Sequence, residues 1–250
     1  MTARLDRELV ERGLARSRGQ AIDAIRDGRV TVNGQVATKA ASPTGPDDVI
    51  DIFRGDHYVS RAAHKLAGAL AGAAVAVPPR VLDAGASTGG FTQVLLEAGA
   101  EVVYAVDVGH GQLVPELRAD PRVVVHEGLN LRDLTLDHTD GEPVDLVVGD
   151  VSFISLRMLL EPLFGVLSPT GSALLLVKPQ FEVGRKGLDS RGVVRDETRR
   201  TRAVAEVASA AAALGMRVAW QGESGLAGES GNVEYFLHLV PAAPVVVTAG

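Results

Sequence analysis

The sequence predicts an α/β protein: a doubly wound, seven-stranded sheet over residues 58–240, preceded by a small α+β module over residues 1–53. Three observations carry this. From residue 58 on, short apolar runs alternate with helical patterns. The first of those runs, Arg80-Val81-Leu82-Asp83, breaks into a glycine-rich turn, Ala84-Gly85-Ala86-Ser87-Thr88-Gly89-Gly90-Phe91. The first forty residues hold two amphipathic patterns and then Asn33-Gly34 between alternating residues, the strongest short hairpin signal.

In the N-terminal module, Leu5, Leu9 and Leu14 line one side of a first helix, which Gly13 closes or weakens. Ser17 stands three residues before Gln20, a capping-box start for a second helix with Ala21, Ile22 and Ile25 on its apolar side and Gly28 at its end. Two strands follow, Arg29 to Val36 around the Asn-Gly turn and Val49 to Ile52. Residues 54–57 read as a linker.

In the larger domain a helix is expected over 60–74. Strands are expected at 80–84, 101–107, 122–126, 144–149, 172–178, 216–221 and 233–240, with helices over 88–98, 154–167 and 196–214. No helix separates the last two strands, so an antiparallel final hairpin is expected. Residues 241–250 read as a disordered tail.

The glycine turn locates a ligand site at the carboxyl ends of the strands. Its spacing is Gly-x-x-x-Gly-Gly, neither the dinucleotide fingerprint nor a phosphate-gripping Gly-Lys-Ser/Thr. A nucleoside without pyrophosphate suits it, with S-adenosylmethionine the leading candidate, although tight strand-to-helix turns that hold nothing also use glycine. Asp107 ends the second strand about twenty residues on, where a carboxylate can accept both ribose hydroxyls or can cap the next helix. Asn130 and Leu131, after the third strand, are placed to meet the adenine.

Composition narrows the classes. The 250 residues are 46% apolar, carry a net charge of −6 and contain no cysteine, which excludes disulfides and thiol catalysis. No apolar run is long enough to span a membrane, no signal-peptide core stands at the start, and the six histidines lack metal-ligand spacing. A cytoplasmic protein without a bound metal is expected. The charge is uneven: residues 1–40 hold eight basic and five acidic residues. That face suits an RNA-gripping module or, on charge alone, a solvated and salt-bridged helix pair.

Specific strings then carry a resemblance. Arg4-Leu5-Asp6, Gly13-Leu14, Ser17-Arg18, Ala21, Ile25, Gly28, Val30-x-Val32-Asn33-Gly34 and Lys39 resemble the S4-type RNA-binding domain. Lys65, Asp150, Lys178 and Glu234 stand in the Lys-Asp-Lys-Glu order of FtsJ-like ribose 2′-O-methyltransferases, each but Lys65 at a strand end. Further strings agree: Val106-Asp107-Val108-Gly109, Ser152-Phe153-Ile154-Ser155-Leu156, Lys178-Pro179-Gln180-Phe181-Glu182 and Gly231-Asn232-Val233-Glu234. Together these resemble, over residues 3–240, the TlyA family of hemolysin-like rRNA 2′-O-methyltransferases. The chain departs at Ala62 and Gly149, where glycine and alanine are expected, and at Leu188-Asp189-Ser190.

The resemblance implies a Rossmann-like S-adenosylmethionine-dependent methyltransferase domain that methylates cytidine ribose in 16S and, in some members, 23S rRNA. It implies Lys178 as general base, with Lys65, Asp150 and Glu234 positioning hydroxyl and lysines. A lysine must shed its proton to act so, which a second cation and partial desolvation favour. Asp83, Gly85, Ala86, Ser87, Thr88, Gly89, Gly90, Phe91, Asp107, Asn130, Leu131 and Asp150 are the implied cofactor residues. Arg4, Arg16, Arg18 and Lys39 are the implied RNA contacts. Two other classes compete: a membrane-active hemolysin, which needs a span or a lipid-facing stretch, and a catalytically silent ribosome-assembly factor, against which the tetrad argues.

Overall fold

The computed structural model describes residues 3–15, 17–26, 30–33, 35–52, 57–228 and 230–242. Arg16, Gly28, Gly34, most of the expected linker and the tail from residue 243 lie outside the described residues. The chain forms two compact units, Met1–Tyr58 and Val59–Gly250.

In the first unit, β1 (Ala3–Arg4) leads into α1 (Leu5–Glu11) and α2 (Arg18–Arg26). The strands β2 (Val30–Val32), β3 (Gln35–Val36), β4 (Pro43–Thr44) and β5 (Ile50–Ile52) follow. The sheet β3-β2-β5 is antiparallel, and β1 pairs with β4. Val32 pairs with Gln35, the register that a hairpin at this place requires, and Asn33 takes φ +52°. The first helix stops earlier than expected. Gly13 takes φ +69°, and the backbone N–H groups of Leu14 and Ala15 both donate to Leu9 O, so Leu14 reaches the core from a turn. Gln20 N donates to Ser17 Oγ at 3.2 Å, one half of the predicted capping box. Ile22 is 41% exposed, and Ala24 takes the inward place beside Ala21 and Ile25. Spacing of three and four residues from Ala21 defines that stripe, and Ile22 lies a step round from it.

The second unit begins with α3 (Ala62–Gly72), β6 (Arg80–Ala84), α4 (Gly90–Glu97), β7 (Val102–Asp107), α5 (Pro115–Arg118) and β8 (Val123–Glu127). It continues with β9 (Val144–Gly149), α6 (Leu160–Gly165), β10 (Leu167–Val177), α7 (Pro179–Glu182), α8 (Glu197–Ala213), β11 (Met216–Glu223) and β12 (Tyr235–Pro241). Seven strands lie in the order β11-β12-β10-β9-β6-β7-β8. Pairing is parallel except at β12, which runs antiparallel to both neighbours. The strand order reverses at β6, so the loops after β6 and β9 diverge there and open a crevice at the carboxyl edge. Leu82, Tyr104, Val106, Val147, Leu175 and Leu237 are fully enclosed in the core. Their strands are apolar almost throughout because the sheet is covered on both faces.

One expected helix, over 154–167, is broken. Residues Leu156–Met158 form a 3-10 turn, and α6 covers only Leu160–Gly165. Pro162 stands in the first turn of α6, where it has no N–H to donate and its ring would clash with the carbonyl of residue 158 in a continuous helix, while Leu156 N is taken by the Glu182 carboxylate at 2.6 Å. No described helix is long and apolar enough to cross a membrane.

Gly89 and Gly90, in the turn after β6, stand where a side chain would meet packed neighbours. Gly89 has φ +101°, and a Cβ there would overlap Leu117 and Leu113. A Cβ on Gly90 would overlap Ser60 Oγ and meet Ala63 N at 3.0 Å, so α4 packs closely against α3. We expect Gly89→Ala to lose about 2 kcal/mol or more through backbone strain and overpacking. In thermal denaturation that is a fall in Tm of roughly 4–8 °C for a domain of this size.

Candidate active site

The ends of β6, β7, β8 and β9 enclose a cleft of about 460 Å³. It is lined by Gly85 and Ser87, by Asp107 to Gly109 and Gln112, by Leu129 to Leu131, and by Asp150 to Ile154 with Leu159. Asp107 is pinned by its own loops: Ser87 N donates to Oδ2 at 2.9 Å and Gly109 N to Oδ1 at 2.7 Å. A carboxylate has about four acceptor sites, so one on each oxygen is left for a vicinal diol. Asn130 Oδ1 accepts Arg132 N at 3.1 Å and caps the short helix that presents buried Leu131. Gln112 was not evident from sequence; it accepts Ser87 Oγ at 3.1 Å across the turn. Volume, a pinned carboxylate and an apolar wall fit a nucleoside cofactor.

Other residues expected at the cofactor stand behind the wall. The N–H groups of Gly85 and Ala86 both go to Val106 O, and Thr88 O accepts Val114 N. Ala86, Thr88, Gly89, Gly90 and Phe91 do not line the cleft. Phe91 is buried, with its ring 6.2 Å from that of Phe236. Asp83 is fully buried as well. Thr92 Oγ1 donates to its Oδ2 at 2.7 Å, while Oδ1 has no partner among the described residues.

The tetrad assembles as two ion pairs. Lys65, on α3, reaches Glu234 Oε2 at 2.7 Å, with side chains 10% and 2% exposed. Lys178, directly after β10, reaches Asp150 Oδ1 at 2.6 Å, with side chains 12% and 15% exposed. That second contact is poorly aligned, since buried Asp150 Oδ1 has no hydrogen bond of good geometry. The ammonium donates to Ser152 Oγ at 2.7 Å instead. Gln180 Nε2 donates to Glu234 Oε1 at 3.0 Å, so the turn that follows Lys178 is joined to the other pair. Ser152 and Gln180 stood in the motif strings, but no sequence pattern announced these contacts. Phe153 is 92% exposed at the mouth of the cleft, at φ +67°, with its ring 5.3 Å from Phe181.

In the first unit, buried Asp6 gathers two of the arginines expected at RNA. Arg4 Nε donates to Oδ1 at 3.1 Å and Arg18 Nε to Oδ2 at 3.0 Å, with the two arginine side chains 51% and 61% exposed. The Arg4 bond holds the Asp6 carboxyl below the usual carboxylate range against the opposing effect of burial, and Arg18 adds to it. Lys39 is exposed. Arg16 lies outside the described residues. Among the described residues no group of three or more His, Asp or Glu side chains is placed to hold a metal.

The strand order, the antiparallel β12 and the cleft define an S-adenosylmethionine-dependent methyltransferase. The FtsJ-like methyltransferase family matches residues 58–240, and the S4 domain matches residues 3–50. The chain belongs to the FtsJ-like methyltransferases, in the TlyA group that carries an S4 domain. It is 51% identical, over 95% of its length and 89% of the relative's, to the 16S/23S rRNA (cytidine-2′-O)-methyltransferase TlyA of Mycobacterium tuberculosis. It is 38% identical to Hemolysin A of Brachyspira hyodysenteriae, over 95% of this chain and 99% of that one. A solved structure named as a hemolysin, from Streptococcus thermophilus, matches with a TM-score of 0.76 and 36% identity over 96% of this chain and 89% of that one.

Burial pushes Asp83 up to about 7; the Thr92 bond opposes the shift, and Asp150 and Asp107 add to it. The folded protein therefore holds this proton where the unfolded chain has lost it. Stability contributed by the protonated carboxyl is complete below about pH 4. It falls as pH rises and is gone above about 7. We expect Asp83→Asn, which stays neutral, to flatten that slope. Denaturant midpoints of both proteins at pH 5 and pH 8 check it: the wild type should fall more than the variant.

Proposed function

We propose that the protein transfers a methyl group from S-adenosylmethionine to the 2′-hydroxyl of cytidine ribose in rRNA, in 16S and also 23S. One observation carries the reading: Lys178 Nζ sits beside the cofactor cleft, held by Asp150 and Ser152 and joined through Gln180 to the Lys65–Glu234 pair. The name of the Mycobacterium tuberculosis relative supports the substrate, and the S4 domain supports an RNA.

Bound S-adenosylmethionine supplies a methyl group activated by a sulfonium leaving group. Asp107 accepts its ribose hydroxyls, and Leu131 with Asn130 flanks its base. Lys178, as the neutral amine, would take the proton of the 2′-hydroxyl as that oxygen bonds to the methyl carbon and the carbon–sulfur bond breaks, leaving a neutral thioether, and Asp150 and Ser152 keep Nζ in place. Lys65, held by buried Glu234, orients the hydroxyl. Most of the acceleration comes from alignment of oxygen, methyl and sulfur. Exposed Phe153 offers a flat face on which the target base can stack. Arg4 and Arg18, spaced by Asp6, and Lys39 bind phosphates of a folded RNA, with Arg16 beside them in sequence. rRNA as substrate places the work in the cytoplasm.

Lys178→Ala should lower methyl transfer to rRNA about 100- to 10,000-fold, the usual contribution of a general base. Tritiated S-adenosylmethionine with ribosomal subunits from cells lacking the gene measures it, and full activity in that variant would sink the mechanism. The double variant Arg4→Ala, Arg18→Ala should weaken subunit binding and reduce the slope of log affinity against log salt by roughly one to two. Binding titrations at several salt concentrations read that slope.

A further inference from the structure

Lys178 is followed by a single helical turn, α7, and its last three residues reach three different places. Gln180 goes to Glu234, the Phe181 ring lies against Phe153, and Glu182 goes to the loop after β9. Glu182 is the most fully engaged of them. Its side chain is 1% exposed. Its carboxylate accepts Ser155 Oγ at 2.6 Å, Leu156 N at 2.6 Å and Arg157 Nε at 3.1 Å. Arg157 also donates to the Glu182 carbonyl at 3.4 Å and pairs with Glu206 of α8 at 3.1 Å.

The loop held in this way is the one that holds Lys178. It begins with Asp150 and Ser152, the two partners of Nζ, and ends with the three donors to Glu182. The contacts close a ring: from Lys178 through α7 to Glu182, across to residues 155–157, and back along the loop to Ser152 and Nζ. Between the two ends Phe153 is held at φ +67°. A phenylalanine there is strained and persists only where its surroundings over-determine the backbone. Three donors on one buried carboxylate supply that constraint, and a buried carboxylate is itself tolerable only when so satisfied.

We propose that Glu182 is a positioning residue for Lys178: by clamping residues 155–157 it sets Ser152 and Asp150 on the reacting nitrogen. The inference rests on Lys178 being the base. In the full-length chain, Glu182→Gln keeps an acceptor for Leu156 N but sets an amide N–H₂ against the Arg157 Nε–H and turns Ser155 Oγ from donor to acceptor. Its single-turnover methyl transfer to ribosomal subunits should fall about 10- to 100-fold, the scale of a misplacement near 1 Å. A purely structural residue would give a loss that multiplies with the loss in Ser152→Ala. Here the double variant should be no slower than about threefold below the worse single, because both cut the same ring.

Arg157→Ala removes one donor at the exposed end. It should lose several-fold, again without multiplying with Ser152→Ala, and it serves if Glu182→Gln does not fold. A full rate in the folded Glu182→Gln variant, or in Arg157→Ala where Glu182→Gln does not fold, or losses that multiply, would overturn the proposal. Lys178→Ala separates the two levels. If it stays active, the base reading and this inference fall together. If it is inactive while the folded Glu182→Gln variant works at the wild-type rate, only the inference falls.

Discussion

Burial of charge at the carboxyl edge of the sheet is the constraint on which the rest of the site depends. Glu234 and Lys65 are nearly out of contact with solvent, and Lys178 and Asp150 are only slightly less so. Removing such ions from water costs several kcal/mol each unless partners replace the lost hydration. The partners come from three strand ends, those of β9, β10 and β12, and from the helix α3. The loops that deliver them therefore have little freedom: Ser152 faces Lys178, Gln180 faces Glu234, and α3 packs against α4 closely enough to require glycine at position 90.

The same device recurs at several scales. A buried acid sets the place of a cation. Asp6 spaces Arg4 and Arg18, Glu182 holds Arg157, Glu234 holds Lys65 and Asp150 holds Lys178. In each case the acid is the less exposed partner or nearly so, and the cation keeps donors for another contact. An arginine fixed in this way loses less side-chain entropy when it meets a phosphate, and a lysine so fixed meets a hydroxyl in one geometry. Asp83 is the exception: its partner is the neutral Thr92, so burial raises its carboxyl and it serves the wall behind the turn.

Much of the architecture was legible because it rests on local rules. Asn33-Gly34 marked its hairpin, Gly13 the end of α1, and the missing helix before β12 the antiparallel pair. The tetrad was legible as an order of residue types at strand ends. What escaped was non-local. The Glu182 carboxylate that takes Leu156 N stands 26 residues along the chain, and the inward turn of Ala24 in place of Ile22 follows from the stripe that meets the core. Gly89 and Gly90 looked like ligand glycines, yet their neighbours are Leu113, Leu117, Ser60 and Ala63, residues distant in sequence.

The sequence by itself determined the two-module order, the alternation that makes a doubly wound sheet, and the order of charged residue types at its strand ends. Those properties follow from periodicity, turn chemistry and spacing, which are local. Only the tertiary structure decided which acid meets which lysine, that Ser152 and Gln180 join those pairs, and which neighbours Gly89 and Gly90 pack against. Pairing of buried charges is settled by where strand ends converge in space, and no spacing along the chain encodes that distance.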